Sequence, residues 1–289
     1  MNNLFNKNND TITLNKFNGD FIFPDYYNDR WKLLNVSKII CICIVDVETS
    51  GLNSQTHTII ELAIKKVAIN SENGDLLEIL EEYQSFNDPG VELDKHIIQI
   101  TGITDDQLIG KSIDWLKVDE IFSTTDIILS HNARFDRAFI DKLSNQSPSK
   151  AWSCSINHID WLKHGFVGKS QEMLAIYHGF FYMTHRAMSD VDALINLLNF
   201  KNNDKKYFFE ILNTYKQPYC IIKATNSNIS KKDILRLNKY FWDANERVWK
   251  KIILFKDIEE EKKWLTNNVY DNFFKGVVEE IQLIDNFKF

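Results

Sequence analysis

The segment 41–52 constrains this chain more than any other stretch. Its opening residues, Cys41-Ile-Cys-Ile-Val45, form an apolar, partly β-branched run that ends in Asp46-Val-Glu48 and the small-residue turn Thr49-Ser-Gly51. Strand side chains alternate between faces, so Asp46 and Glu48 project the same way from one strand end, while Val45 and Val47 face the opposite layer. Two neighbouring carboxylates repel, and burying them uncompensated is costly. A hard divalent cation, which takes oxygen ligands, would resolve that conflict. A strand whose acids simply reach solvent satisfies the same pattern, so Asp-x-Glu alone decides nothing.

With 289 residues the chain allows one large domain with an appendage, or two moderate domains. At 44% hydrophobic it can bury a sizeable core. The formal net charge of −6 gives no reason to expect a polyanionic partner, but its distribution does. Residues 201–256 carry 13 Lys/Arg against 5 Asp/Glu, whereas residues 1–200 carry 17 against 27. An acidic body with a basic patch suits a metal-using enzyme that handles a polyanion; a chance imbalance on a solvated surface is the other reading. Four cysteines without a CxxC pair point to a reducing compartment. The N-terminus lacks the layout of a signal peptide, and no apolar run is long enough to cross a bilayer. A soluble, cytoplasmic protein with no membrane partner is expected.

Residues 1–37 are Asn-rich and irregular, and their Phe-Pro-Asp-Tyr-Tyr27 segment is expected to pack on the core. Strands are expected over 39–48, 59–69 and 78–86, the last two joined at Asn73-Gly74. Helical patterns follow at 94–100, after Thr104 as an N-cap, and at 113–123. Residues 126–130 read as a short buried strand, and 133–143, 157–164, 170–178 and 189–199 as helices. A meander followed by alternating strands and helices predicts an α/β sandwich around a mixed sheet.

Two further clusters carry chemistry. Ser130-His-Asn-Ala-Arg-Phe-Asp136 puts Asp136 in the first turns of a helix that opens beside a strand end, where partial positive charge favours acids and phosphates. A dipole-stabilising acid and a structural His131 would look the same. In Thr184-His-Arg-Ala-Met-Ser-Asp190, Ser189 is placed to cap the last helix of this part, with Asp190 in its first turn and His185 in the preceding loop. A loop histidine is suited to taking a proton from water. Asp192 is expected to point elsewhere, as a solvated bystander.

Asp46-x-Glu48, His131-Asn-Ala-x-Phe-Asp136 and His185 with Asp190, in that order, resemble the three motifs of the DEDDh 3′→5′ exonuclease superfamily. Glu48-Thr-Ser-Gly-Leu52, Ile59-Ile-Glu-Leu62 and Thr101-Gly-Ile-Thr104 fit as well, and the match covers about residues 38–200. The superfamily includes the proofreading epsilon subunit of bacterial DNA polymerase III and stand-alone bacterial exonucleases; the stretch from Ala151 to Trp161 looks closer to the latter. Ser50 and His57-Thr58 depart mildly from the usual pattern, and neither removes a ligand. The resemblance implies a ribonuclease-H-like, mixed five-stranded sheet flanked by helices. It implies two divalent ions, Mg²⁺ or Mn²⁺, roughly 3.5–4 Å apart, held by Asp46, Glu48, Asp136 and Asp190. His185 would be the general base, Thr49 and Leu52 would hold the terminal nucleotide, and His131, Asn132 and Phe135 would shape its pocket. Phe135 is equally well a core residue.

The expected function is therefore release of nucleoside monophosphates from single-stranded 3′ ends, DNA favoured over RNA, with a possible polymerase or repair partner in proofreading or DNA repair. An RNA exonuclease, or a catalytically silent nucleic-acid-binding or polymerase-accessory subunit, is the alternative. Beyond the domain 38–200, residues 201–289 resemble a small α+β C-terminal module found after some stand-alone exonucleases. Helices are expected at 207–215, 231–238 and 259–270 and strands at 219–223, around Phe241-Trp242 and over 247–252. Basic residues interleaved with Tyr240, Phe241, Trp242 and Trp249 could contact a nucleic-acid backbone and stack bases, or the aromatics could form a small core. With no linker in sight, the module is expected to dock on the catalytic domain.

Overall fold

The computed structural model describes residues 13–21, 38–202, 205–270 and 272–288, so the Phe-Pro-Asp-Tyr-Tyr27 segment lies outside the described residues. They group into two compact units, one running to Tyr215 and taking in the tail from Phe287, the other spanning Lys216–Asn286.

In the first unit, β1 (Ile39–Thr49), β2 (Ile59–Asn70) and β3 (Leu76–Phe86) form an antiparallel meander. The turn between β2 and β3 is made by Asn73, whose side chain accepts from the Asp75 amide, and by Gly74 at φ +80°. Two short strands, β4 (Ile127–Ser130) and β5 (Ala151–Cys154), then add in parallel beside β1. The sheet order is β3-β2-β1-β4-β5, the mixed five-stranded sheet that the sequence predicts. Every residue of β2 is buried, as befits a strand covered on both faces.

Helices α1 (Lys95–Thr101), α2 (Asp105–Leu108) and α3 (Trp115–Ser123) lie between β3 and β4 in the chain. Asp94 and Asp114 cap α1 and α3, and the Gln107 side chain accepts from the Thr104 amide at the start of α2. Then come α4 (Ala133–Ile140), α5 (Ser155–His158), α6 (Gln171–Tyr177), α7 (Ala187–Leu198) and α8 (Tyr207–Thr214). Cys43, Val45 and Val47 of β1 pack with Val118, Ile121 and Phe122 of α3 and Ala133, Phe139 and Ile140 of α4. Helix α7 packs on β1 and β2, burying Val191, Leu194, Ile195 and Leu198 at i, i+3, i+4 and i+7. Alternation therefore hands Asp46 and Glu48 to the α7 side of the sheet.

Three local expectations need correction. The helix expected at 157–164 is only α5, because the chain turns back to bury Trp161, whose indole N–H donates to the Ser155 carbonyl at 2.8 Å. Helix α7 begins two residues before Ser189, with Arg186 at the cap position, so Ser189 sits within its first turn and does not cap it. Helix α8, expected beyond the end of the catalytic domain, clusters with the first unit: Thr214 donates to the His158 carbonyl at 2.8 Å and Glu210 accepts from the Asp160 amide at 3.0 Å.

The second unit holds β6 (Tyr219–Lys223), α9 (Lys232–Leu237), β7 (Phe241–Asp243), β8 (Val248–Leu254), α10 (Ile258–Asn268) and β9 (Val277–Ile281). Its antiparallel sheet runs β7-β8-β6-β9, over a core of Ile222, Leu235, Tyr240, Trp249 and Leu265. Strand β9, Val-Val-Glu-Glu-Ile, is an additional edge strand with two acids. Together with Glu259, Glu260 and Glu261 of α10 they revise the charge picture. Lys216–Asn286 carries 13 Lys/Arg against 11 Asp/Glu, far from the excess of the window 201–256.

Candidate active site

Strands β1 and β4 run parallel, paired from Ile42↔Ile127 to Ile44↔Leu129, and β4 stops at Ser130. Strand β1 continues to Thr49, so its last residues lose that neighbour and meet helix α4 instead. The Val47 amide donates to Asp136 Oδ1 at 3.3 Å, which anchors the buried Asp136 to the backbone between Asp46 and Glu48. The site thus lies at the carboxyl ends of parallel strands, where open α/β sheets present their crevices.

From across the sheet face, α7 brings Asp190. Asp46, Glu48 and Asp190 each offer an oxygen within 4.8 Å of the other two. Among the described residues, the carboxylates of Asp46 and Glu48 accept no hydrogen bond. Burial, with the charges of Asp190, Asp136 and Glu48, pushes Asp46 well above the usual carboxylate range. Burial, Asp190 and Glu61 push Glu48 up to about 8, with Arg186 pulling it back. Asp136 and Asp190 are likewise raised by burial, while the Val47 amide pulls Asp136 down and the Tyr182 hydroxyl pulls Asp190 down. Three carboxylates within reach of one ion, with a fourth anchored between them and all four raised, make a site whose negative charge exceeds what the chain's own cations supply. An all-oxygen donor set fits a hard divalent cation.

His185 stands in the loop before α7, exposed, with φ +61°. A non-glycine residue in the left-handed region is strained, and such strain gathers at functional sites. Among the described residues its imidazole makes no hydrogen bond. His185 directly precedes Arg186, whose amide donates to Asp190 Oδ2 at 3.2 Å. Thr49 is buried, its hydroxyl donating to the Gly51 carbonyl at 2.8 Å, whereas Leu52 is 85% exposed. The turn is closed by Ser50, whose amide donates to the Thr58 carbonyl, and the His57 ring lies over Gly51, where a Cβ would stand 2.3 Å from it and displace it.

His131 is held at both ring nitrogens, Nδ1 to Ser155 Oγ and Nε2 to the Lys169 carbonyl, each at 2.7 Å. Burial lowers its pKa to about 4, so it stays neutral and fixes the loop. Asn132 is exposed at the cap position of α4, and Phe135 packs against Phe139 and the sheet core.

Four residues of the site were not assigned a role from the sequence. Glu61, fully buried and in register with Glu48, accepts from Arg186 Nε and Nη2 and from the Ala187 amide, each at 3.2 Å, and from Gln84 at 2.7 Å. It therefore sets the start of α7 from a distant strand, which is why no local cap residue is needed. Tyr182 and Gln171 hold Asp190: the hydroxyl donates to Oδ1 at 3.0 Å, and the amide to the Asp190 carbonyl at 2.8 Å. A lone acid inside the apolar run of β2 was the one available signal for Glu61; Tyr182 and Gln171 gave none. Asp192 is also corrected, being no solvated bystander: it pairs with Lys65 at 2.6 Å, both largely buried.

Comparison with known proteins agrees with this geometry. The family model described as "Exonuclease" (RNase_T) matches residues 43–198, more than half of the chain. The chain is 41% identical over 120 residues to "DNA polymerase III PolC-type" of Listeria monocytogenes, and 37% identical over 124 residues to that of Bacillus cereus, spanning in each case 41% of this chain and 8% of the relative. Among solved structures, E. coli Exonuclease I in complex with a dA16 oligonucleotide shares the fold, with a TM-score of 0.51 at 14% identity over 74% of this chain and 63% of that one. No helix among the described residues is long and apolar enough to cross a membrane.

Proposed function

Because the chain belongs to the exonuclease family of that model, within the DEDDh 3′→5′ exonuclease superfamily, we propose that it removes nucleoside monophosphates from the 3′ ends of single-stranded DNA. The observation that carries this reading is the group of carboxylates, Asp46, Glu48 and Asp190 with Asp136 behind them, that converges with more negative charge than the chain's own cations supply, beside a strained, unbonded histidine. These four acids would hold two Mg²⁺ or Mn²⁺ ions. Divalent ions held there supply an acidified water and charge neutralisation on the phosphate.

The chain's own residues do the rest. Water oxygen bonds to phosphorus, the P–O3′ bond breaks, and the His185 imidazole accepts the water's proton. The departing 3′-oxygen takes a proton from solvent, leaving a shortened strand and a 5′-monophosphate. Arg186, pinned to Glu61, fixes the backbone on which His185 and Asp190 are carried. Exposed Leu52 and Asn132, with Thr49 and Phe135, would flank the terminal nucleotide, and neutral His131 would shape the wall. The relatives' name, DNA polymerase III PolC-type, supports a setting beside a DNA polymerase, and work in proofreading or repair would suit that setting.

A gel time course tests this with 5′-labelled, single-stranded DNA and RNA of one sequence, in Mn²⁺ and in EDTA. A ladder shortening from the 3′ end only with metal, faster on DNA, is expected. Faster loss of RNA would reassign the substrate, and intact strands in every lane would sink the nuclease reading.

A further inference from the structure

The second unit carries lysines on both sides of its sheet, and the acids of the unit consume them on both. On the side of Lys223 and Lys250, each cation is consumed. Lys223 pairs with Glu246 and Glu279 at 2.7 Å, and Lys250 pairs with Asp243 at 2.7 Å and Glu246 at 2.6 Å. On the other side, Lys251 is consumed by Glu261 at 2.6 Å.

The margin formed by α9 and the edge strand β7 is built otherwise. Lys232 and Arg236 stand one helical turn apart on α9, and Lys239 follows in the tight turn whose amide donates to the Arg236 carbonyl at 2.9 Å. All three are exposed, and among the described residues none makes an ion pair. The Arg236 guanidinium lies over the Trp249 ring, 5.6 Å from its centroid. Trp249 is core, but its cross-strand partner Trp242, edge-to-face with it at 5.6 Å, is 49% exposed. An indole half open to water, on a margin whose helix and turn carry three exposed cations and one exposed acid, Asp233, is a poor choice for stability alone. It combines the two materials of a non-sequence-specific strand site: cations that take phosphates and an aromatic face that takes a base.

We propose that this margin of the second unit, Trp242 with Lys232, Arg236 and Lys239, is a docking strip for single-stranded nucleic acid, separate from the carboxylate site. The inference rests on the nuclease reading for its ligand. Charge complementarity selects a polyanion over an apolar partner surface, since exposed Leu237 stands between Arg236 and the turn that carries Lys239. A strand held by this unit stays at high effective concentration near the first unit simply through the covalent connection.

The test is fluorescence anisotropy of the full-length protein with 5′-fluorescein oligothymidylate of 20 nucleotides and of four, in EDTA, over a salt series. Wild type is expected to bind the 20-mer more tightly than the 4-mer. Trp242→Ala should weaken 20-mer binding about tenfold, with Trp242→Phe restoring most of it, because stacking tolerates any aromatic face. The triple change K232Q/R236Q/K239Q should weaken it further and flatten the plot of log affinity against log salt by about 2, the share of three phosphate contacts on a single strand. These side chains lie outside the core, so thermal unfolding of each variant serves as the folding control. Equal 20-mer affinity and equal salt slopes for wild type and both variants would overturn the strip and leave Trp242 and Leu237 as an edge for a protein partner. The same oligonucleotide in Mn²⁺ reads the nuclease function separately. Binding through the strip without shortening would sink that function and keep the strip, whereas shortening without strip-dependent binding would do the reverse.

Discussion

Glu48 and Glu61 stand opposite one another on neighbouring strands and face the same helix, yet the fold treats them in opposite ways. Glu61 is fully buried and receives two guanidinium bonds, a backbone amide and a side-chain amide. Glu48 receives no hydrogen bond among the described residues and shares its space with Asp46 and Asp190. The contrast repeats on α7, where Asp192 is neutralised by Lys65 while Asp190, two residues earlier, faces other acids. A carboxylate matched to a fixed cation is finished structurally. One set beside its own kind demands something from outside the chain, and that is the mark of a site.

The largest expected effect is on activity, where the two α7 acids should separate cleanly. Asp190→Asn should lower hydrolysis more than 10³-fold, about 4 kcal/mol of barrier, while the metal-free protein melts no lower than wild type because a repulsive charge has gone. Asp192→Asn should do the reverse, leaving the turnover within a few-fold and lowering the melting temperature, since Lys65 is left buried with only Glu82 at 3.3 Å. Equal effects from both changes would break the comparison.

Next comes the cost of disturbing a matched acid. Glu61→Gln leaves the Arg186 guanidinium half-buried without its partner, and removal of one member of a buried pair costs about 3 kcal/mol. Calorimetry should show the melting point fall by roughly 5–10 °C for a chain of this size. The double variant E61Q/R186Q should recover part of that loss, and no recovery would mean that the Ala187 amide bond, not the ion pair, anchors α7.

The unmatched acids predict a pH signature in the absence of metal. Their pKa values are raised in the folded chain, to about 8 for Glu48, above the unfolded range near 4. The folded state therefore holds more protons, and stability is fully present below pH 4 and is lost as pH rises toward 8. In EDTA the melting temperature should fall between pH 5 and 8, and saturating Mn²⁺ should flatten that slope by supplying the counter-charge. A flat profile in EDTA would show that these carboxylates do not feel one another.

Which of these features can be read in the sequence follows from how local their causes are. Asp46, Glu48, Asp136 and Asp190 are legible because each sits at the end of a strand or the start of a helix. The start of α7 is not: Ser189 has the chemistry of a cap, but Glu61 accepts the Ala187 amide from 126 residues away and moves the boundary. The Lys65–Asp192 pair is hidden for the same reason: its partners lie 127 residues apart in the chain, and Lys65 stands in a strand that is buried along its whole length. In the second unit, the acids that follow residue 256, three of them on α10 and two on β9, offset the charge excess of the window 201–256.

The smallest expected effect probes the residues that hold an unmatched acid without neutralising it. Tyr182 donates to Asp190 Oδ1 at 3.0 Å, Gln171 lies 3.4 Å from the same oxygen, and the Arg186 amide donates to Oδ2 at 3.2 Å. Each fixes the direction in which the remaining lone pairs point, and none supplies charge. Loss of such an outer partner weakens metal binding by about 10–100-fold in general, and Gln171 remains to hold Oδ1 when Tyr182 is changed. Tyr182→Phe should therefore sit at the low end, raising about tenfold the Mn²⁺ concentration that gives half of the maximal thermal shift. Hydrolysis at saturating metal should fall far less, because His185 and the four acids remain. A tenfold loss at saturating metal with an unchanged metal titration would move Tyr182 from orienting a carboxylate to acting on the substrate itself.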